Sequence, residues 1–91
     1  MSGKTVDTEA LERANIALQK YIGKVQFGIN YLQNAAQDCT DNMGSDVYSQ
    51  KAVQQLEFCL KDMNSAITKA EEVRQKILRK KREIEDSSRG L

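Results

Sequence analysis

The sequence predicts an all-α fold, an antiparallel two-helix hairpin that pairs into a four-helix bundle. Three observations carry that prediction. Apolar residues recur at helical spacing for about thirty residues on each side of a single interior break. The break, Asp38-Cys39-Thr40-Asp41-Asn42-Met43-Gly44-Ser45-Asp46-Val47-Tyr48, gathers residue types that favour turns or caps over helix interiors. The chain also has no Pro and no Trp while 30% of it is charged, a composition suited to long solvated helices. At 91 residues the chain is one domain, or a share of one completed by a partner. A lone hairpin buries only its seam, against a backbone ordering cost of about 1–2 kcal/mol per residue. Assembly is therefore expected.

Residues 1–6 read as a frayed lead. The first helix is expected over about residues 7–37, capped by Asp7 or Thr8, with Glu9 and Glu12 placed to favour its positive end. Leu11, Leu18, Val25 and Leu32 recur every seven residues and form its central apolar line. Ile22, Ile29 and Ala36 flank that line on one side, and Ala14, Tyr21, Gly28 and Ala35 on the other. The stripe is about 100° wide, broader than a two-stranded seam requires. Gly28 lies on it, where the missing side chain lets another helix approach.

The turn is expected over about 38–46 and the second helix over about 47–86, capped by Ser45 or Asp46, with a frayed tail at 87–91. Leu56, Met63, Ala70, Ile77 and Ile84 form its central line. Ala52, Cys59, Ala66 and Val73 lie on one flank, and Val53, Leu60 and Ile67 on the other. Beyond Arg74 the flanks turn charged, so the segment from Arg79 to Asp86 is expected to overhang the first helix. Phe27, Tyr31 and Phe58 fall outside both stripes. Counted from a turn centred near Asn42, Phe27 and Phe58 stand at similar heights, which predicts an exposed aromatic patch suited to docking.

Several function classes lose support on composition. With no His, the commonest general base and metal ligand is missing. There is no Gly-rich phosphate loop, nucleophile elbow or metal-ligand cluster, and Asp38, Asp41 and Asp46 lack the carboxylate ladder and closing Glu of a calcium loop. No enzyme activity and no cofactor are expected. Cys39 stands by the turn and Cys59 about 20 Å farther along the second helix at 1.5 Å per residue, beyond the roughly 7 Å reach of a disulfide. Two free thiols fit a cytoplasmic chain. No apolar run approaches membrane length, and the first residues lack an apolar signal core, so neither insertion nor classical secretion is expected. The formal net charge of +1 argues neither for a nucleic-acid binder nor for a membrane-surface protein. The basic run Arg74, Lys76, Arg79, Lys80, Lys81 and Arg82 is interleaved with Glu71, Glu72, Glu83, Glu85 and Asp86 and reads as a solvated helix face.

The turn residues Asn42-Met43-Gly44, with Tyr48 four residues beyond Gly44, and the opening Val6-Asp7-Thr8-Glu9-Ala10-Leu11 resemble the WXG superfamily. These are small helical hairpins that serve type VII secretion in Gram-positive bacteria. The family's Trp-x-Gly turn has Asn42 in place of Trp here. The family's C-terminal Tyr-x-x-x-Asp/Glu export signal is absent, although Phe58-Cys59-Leu60-Lys61-Asp62 has a related form in mid-helix. The resemblance implies a member without a complete export signal of its own. Such a member pairs with a signal-bearing hairpin or escorts the helical N-terminal domain of an effector toxin; a homodimer and a heterodimer with another hairpin would use the same stripes, and the chain is cytoplasmic and exported, if at all, with its partner.

The expected partner-binding residues are therefore Leu18, Ile22, Val25, Ile29, Leu32, Leu56, Leu60, Met63 and Ile67, forming a shared four-helix core. Phe27, Tyr31 and Phe58 are added as a second contact face, and Asn42, Gly44 and Tyr48 as the turn signature. Leu60→Asp is expected to abolish pairing. The alternative is a structural coiled-coil subunit of an unrelated cytoplasmic assembly that uses the same seam.

Overall fold

The computed structural model describes residues 7–89. The expected lead at 1–6 and the last two residues of the expected tail lie outside them. Two helices, α1 (Thr8–Asn42) and α2 (Val47–Arg89), pack against each other as an antiparallel hairpin 68 Å long and 19 Å across.

Both helix starts are set by Asp. The Asp7 carboxylate accepts the Glu9 N–H at 2.9 Å while its carbonyl accepts the Leu11 N–H at 3.2 Å. The Asp46 carboxylate accepts the Ser49 N–H at 2.7 Å and its carbonyl the Gln50 N–H at 3.1 Å. Each removes a donor that the first helical turn would otherwise leave unpaired. The hydrogen bonds from Ser49, backbone first and hydroxyl second, hold the Asp46 carboxyl below its ordinary 3.8.

The turn is much shorter than expected. α1 does not stop near Gln37 but continues to Asn42, leaving Met43–Asp46 as the connection. The polar side chains thought to break the helix instead bond within it. The Thr40 hydroxyl donates to the Ala36 carbonyl at 2.9 Å, and Asn42 Nδ2 donates to the Asp38 carbonyl at 2.9 Å and carboxylate at 2.8 Å. Gln37 Nε2 donates to Asp41 at 3.0 Å. Ser, Thr, Asn and Asp can bond back to the preceding turn as well as cap. The helix closes when Met43 turns extended (φ −92°, ψ 152°), its N–H still held by the Cys39 carbonyl at 2.8 Å. Gly44 sits in this turn without a positive φ, so its left-handed freedom is not used. At the other end, helix continues through Ser87 to Arg89, where fraying was expected.

The seam runs along two interlocking heptads. Asn15, Ile22 and Ile29 are the buried line of α1, with Leu11, Leu18, Val25 and Leu32 half-buried beside them. The expected central line is thus the edge of the seam, and the deepest positions are the expected flank together with a polar residue. In α2 the seam runs Ser49, Val53, Leu56, Leu60, Met63, Ile67, Ala70, Arg74, Ile77, Lys81 and Ile84, alternating by four and three residues, with Ala52, Ala66, Glu71 and Leu78 half-buried beside it. The core is thin: Ile22, Ile29 and Ala70 are its buried apolar residues, and among the described residues no side chain is fully enclosed.

Two contacts set the register. A Cβ on Gly28 would stand 2.9 Å from Met63 Cε, and Lys81 Nζ lies 3.2 Å from the Glu12 carboxylate. The Gly28 gap is therefore filled by the hairpin's own second helix. Lys81 still reaches α1 and Ile84 is still half-buried, so the paired stretch extends past Arg79, where the overhang was expected to begin.

Candidate partner-binding face

The helical phase of each flank decides which surfaces the hairpin presents. Turning one helix antiparallel to its neighbour, by rotation about the normal to their common plane, keeps the near face near. Flanks that precede the same heptad position therefore end up on one side. In α1 the flank Ala14, Tyr21, Gly28 and Ala35 adjoins the Leu18–Val25–Leu32 edge. In α2 the flank Ala52, Cys59, Ala66 and Val73 adjoins Leu56–Met63–Ala70. The Gly28–Met63 contact lies on this side. The opposite flanks, Glu12, Gln19, Gln26 and Gln33 with Glu57, Asn64, Glu71 and Leu78, share the other side, where Glu12 meets Lys81.

The two sides differ in chemistry. The first is apolar, with Ala between the larger Tyr21, Cys59 and Val73, all three exposed, and with Gly28 already covered by Met63. The second is polar except for Leu78. The hairpin as a whole is therefore amphipathic. Its open apolar face runs from the level of Leu11 to that of Ala35, about 36 Å at 1.5 Å per residue.

The predicted core residues are placed differently from expectation. Ile22 and Ile29 are buried in the hairpin's own seam, and Leu60 and Ile67 are half-buried there on the polar side. Leu18, Val25, Leu32, Leu56 and Met63 are half-buried at the edge of the apolar face. Leu60 thus belongs to the hairpin's own core more than to a surface shared with a partner.

Phe27, Tyr31 and Phe58 are exposed at 73%, 70% and 64%, but they do not form one patch. Phe27 is two residues from both Val25 and Ile29, about 160° round the helix from each, and Phe58 stands in the same relation to Leu56 and Leu60. Each ring points away from the seam, so Phe27 and Phe58 face opposite ways. They also differ in height. On the Gly28–Met63 register Phe58 stands roughly level with Asn34, about 10 Å along the axis from Phe27. Tyr31, one turn beyond Phe27, borders the apolar face.

Of the turn signature, Asn42 is tied back into α1 by its two bonds to Asp38. Tyr48, in the first turn of α2, is 90% exposed. Cys39 is half-buried, Cys59 is exposed, and both are free thiols.

Some residues escaped the sequence reading. Asn15 and Ser49 are buried in the seam. Arg74 and Lys81, assigned to a solvated basic run, turn inward. Arg74 pairs with Glu71 at 3.4 Å and Lys81 with Glu12 at 3.2 Å, while Lys76, Arg79, Lys80 and Arg82 remain exposed. The hydrogen bond and charge of Lys81 hold the Glu12 carboxyl below its ordinary 4.5, with smaller help from Asn15 and Arg74. The heptad continuing through positions 74 and 81 was the available signal. No helix among the described residues is long and apolar enough to cross a membrane. No protein family, curated protein or solved structure matches this chain.

Proposed function

We propose that this chain is a non-enzymatic binding partner whose open apolar face docks against another helical hairpin, closing a four-helix bundle. The observation that carries the reading is the sidedness of the hairpin, apolar on the Ala14–Ala35 and Ala52–Val73 flanks and polar opposite. A face about 36 Å long that used the hairpin's full 19 Å breadth would cover at most roughly 700 Å², against the ~800 Å² per partner of a standard stable interface. The small residues let backbones approach closely, so dispersion contacts add to the area removed from water.

In the frame of the WXG resemblance, the partner is a second hairpin carrying the export signal, or the helical N-terminal domain of a type VII effector that this chain escorts from the cytoplasm. The exposed Tyr48 near the tip and the hairpin architecture support that assignment.

The test pairs two neighbouring residues on different faces. Cys59→Glu places a charge on the open apolar face, and Phe58→Glu places one on the outer face of the same helix. Light scattering on the isolated chain, and on its mixture with the product of the adjacent gene, is expected to show association that Cys59→Glu abolishes and Phe58→Glu spares, with helicity intact in both. A chain that stays monomeric in both settings overturns the proposal.

A further inference from the structure

At the open end of the hairpin the seam changes character. Asn15 is 6% exposed and its Oδ1 has no hydrogen-bond partner; Arg74 Nε, in the facing stretch of α2, is likewise buried and unpartnered. Around them Lys81 reaches Glu12 at 3.2 Å and Arg74 reaches Glu71 at 3.4 Å. Unpaired polar atoms in a helix seam weaken it relative to apolar residues of the same shape. The rest of the seam shows that apolar residues fit such positions: Ile22 and Ile29 continue the Asn15 line, and Leu60 and Ile67 the Arg74 line.

We propose that Glu12, Asn15, Arg74 and Lys81 form a recognition layer by which α1 selects α2 in this one antiparallel register, at the expense of stability. The reason lies in the repetition elsewhere. The apolar heptads of both helices are nearly interchangeable, so sliding α2 by seven residues still sets apolar against apolar through the middle of the rod. The end layer removes that degeneracy. A slide toward the turn carries Arg74, together with its own Glu71, in among Ile22 and Ile29 and takes Lys81 away from Glu12 to the level of Gln19. A parallel pair of α2 helices from two chains sets Arg74 against Arg74 and Lys81 against Lys81. Only the hairpin register offers Glu12 to Lys81. The short Met43–Asp46 connection restrains sliding within one chain, but it does nothing against exchange of helices between chains. A chain with an open apolar face meets that competition whenever it associates. The inference concerns the seam and holds whatever occupies the open face.

The experiment uses the full chain with Cys39→Ser and Cys59→Ser, spin-labelled at Gln19→Cys and Gln75→Cys, both exposed positions. Pulsed electron resonance gives the distance between helices, light scattering the mass and circular dichroism the melting temperature. The unaltered layer is expected to give one narrow distance. Asn15→Leu with Arg74→Leu is expected to raise the melting temperature while adding a second distance or a mixture of masses. Glu12→Lys alone is expected to broaden the distance, and Glu12→Lys with Lys81→Glu to restore it. The proposal is overturned if the double Leu variant keeps one distance and one mass, if it melts lower than the parent, or if Glu12→Lys leaves the distance narrow.

Discussion

Gly23 and Gly28 lie in the same helix, five residues apart, and their replacement by Ala separates backbone propensity from packing. A Cβ at Gly23 meets nothing within 4 Å. Gly23→Ala should therefore gain the full helix-propensity difference of about 0.8–1.0 kcal/mol, which for a chain of this size raises the melting temperature by roughly 4–8 °C. At Gly28 the new carbon would stand 2.9 Å from Met63 Cε, inside the ~3.5–4.0 Å optimum for carbon pairs. Met63 can swing its terminal methyl aside, but a displaced rotamer costs about 0.5–1.5 kcal/mol, which cancels most of the gain. Gly28→Ala is thus expected within about 0.5 kcal/mol of the parent, and to recover the full gain once Met63→Ala has removed the obstruction. The assay is a double-mutant cycle in urea denaturation, with an expected coupling of roughly 0.5–1.5 kcal/mol. Additivity of Gly28→Ala and Met63→Ala would show that the helices do not meet at this level, and the register would have to be redrawn.

Four further outcomes are expected. Ile29→Ala should lower the unfolding free energy by about 2–3 kcal/mol, whereas Phe27→Ala, though it removes a larger side chain, should change it by less than about 0.5 kcal/mol; urea melts giving equal losses would mean the outer face is packed. Leu60→Asp should reduce helicity by circular dichroism in the isolated chain, since Leu60 belongs to the hairpin's own seam; an unchanged spectrum refutes that placement. The carboxyls of Glu12 and Asp46 are both depressed in the folded chain, so their contributions are complete above their unfolded values of 4.5 and 3.8 and disappear as pH falls through the folded ones. The urea midpoint should hold steady from neutral pH to about 4.5 and then decline, and Glu12→Gln should remove the upper part of the decline; a midpoint already falling well above that range points to other groups. Asp46→Ala should lower the melting temperature and Asp46→Asn much less, because Asn also caps; equal losses would mean the charge and not the cap matters.

The hairpin, the place of each cap to within two adjacent residues and the apolar stripes were legible because they rest on local rules: helical periodicity, caps and the clustering of turn-forming residues. The limits of the turn were not. The side chains of Asp38, Thr40 and Asn42 can serve a cap or bond to the preceding helical turn, and composition does not say which. The centre of each stripe shifted because a broad apolar arc does not tell which of its edges meets the partner helix. Asn15, Arg74 and Lys81 were missed for a related reason: polar residues on a seam line look like interruptions until the facing helix is present to receive them. The heights of Phe27 and Phe58 were misjudged because moving the turn centre from near Asn42 to Met43–Asp46 slides every cross-helix pairing. Exposure of the aromatics was readable from phase, but their opposite directions follow only from the way the two helices face each other.

The slenderness of the molecule bears on any measurement of its mass that depends on shape. Its radius of gyration is 20.5 Å, against roughly 12 Å for a compact domain of the same length. Friction and column retention follow shape as well as weight, so a solitary rod leaves a sizing column early, in the position of a heavier globule. Elution volume would report an oligomer where there is one chain, and only a shape-independent mass can count the copies.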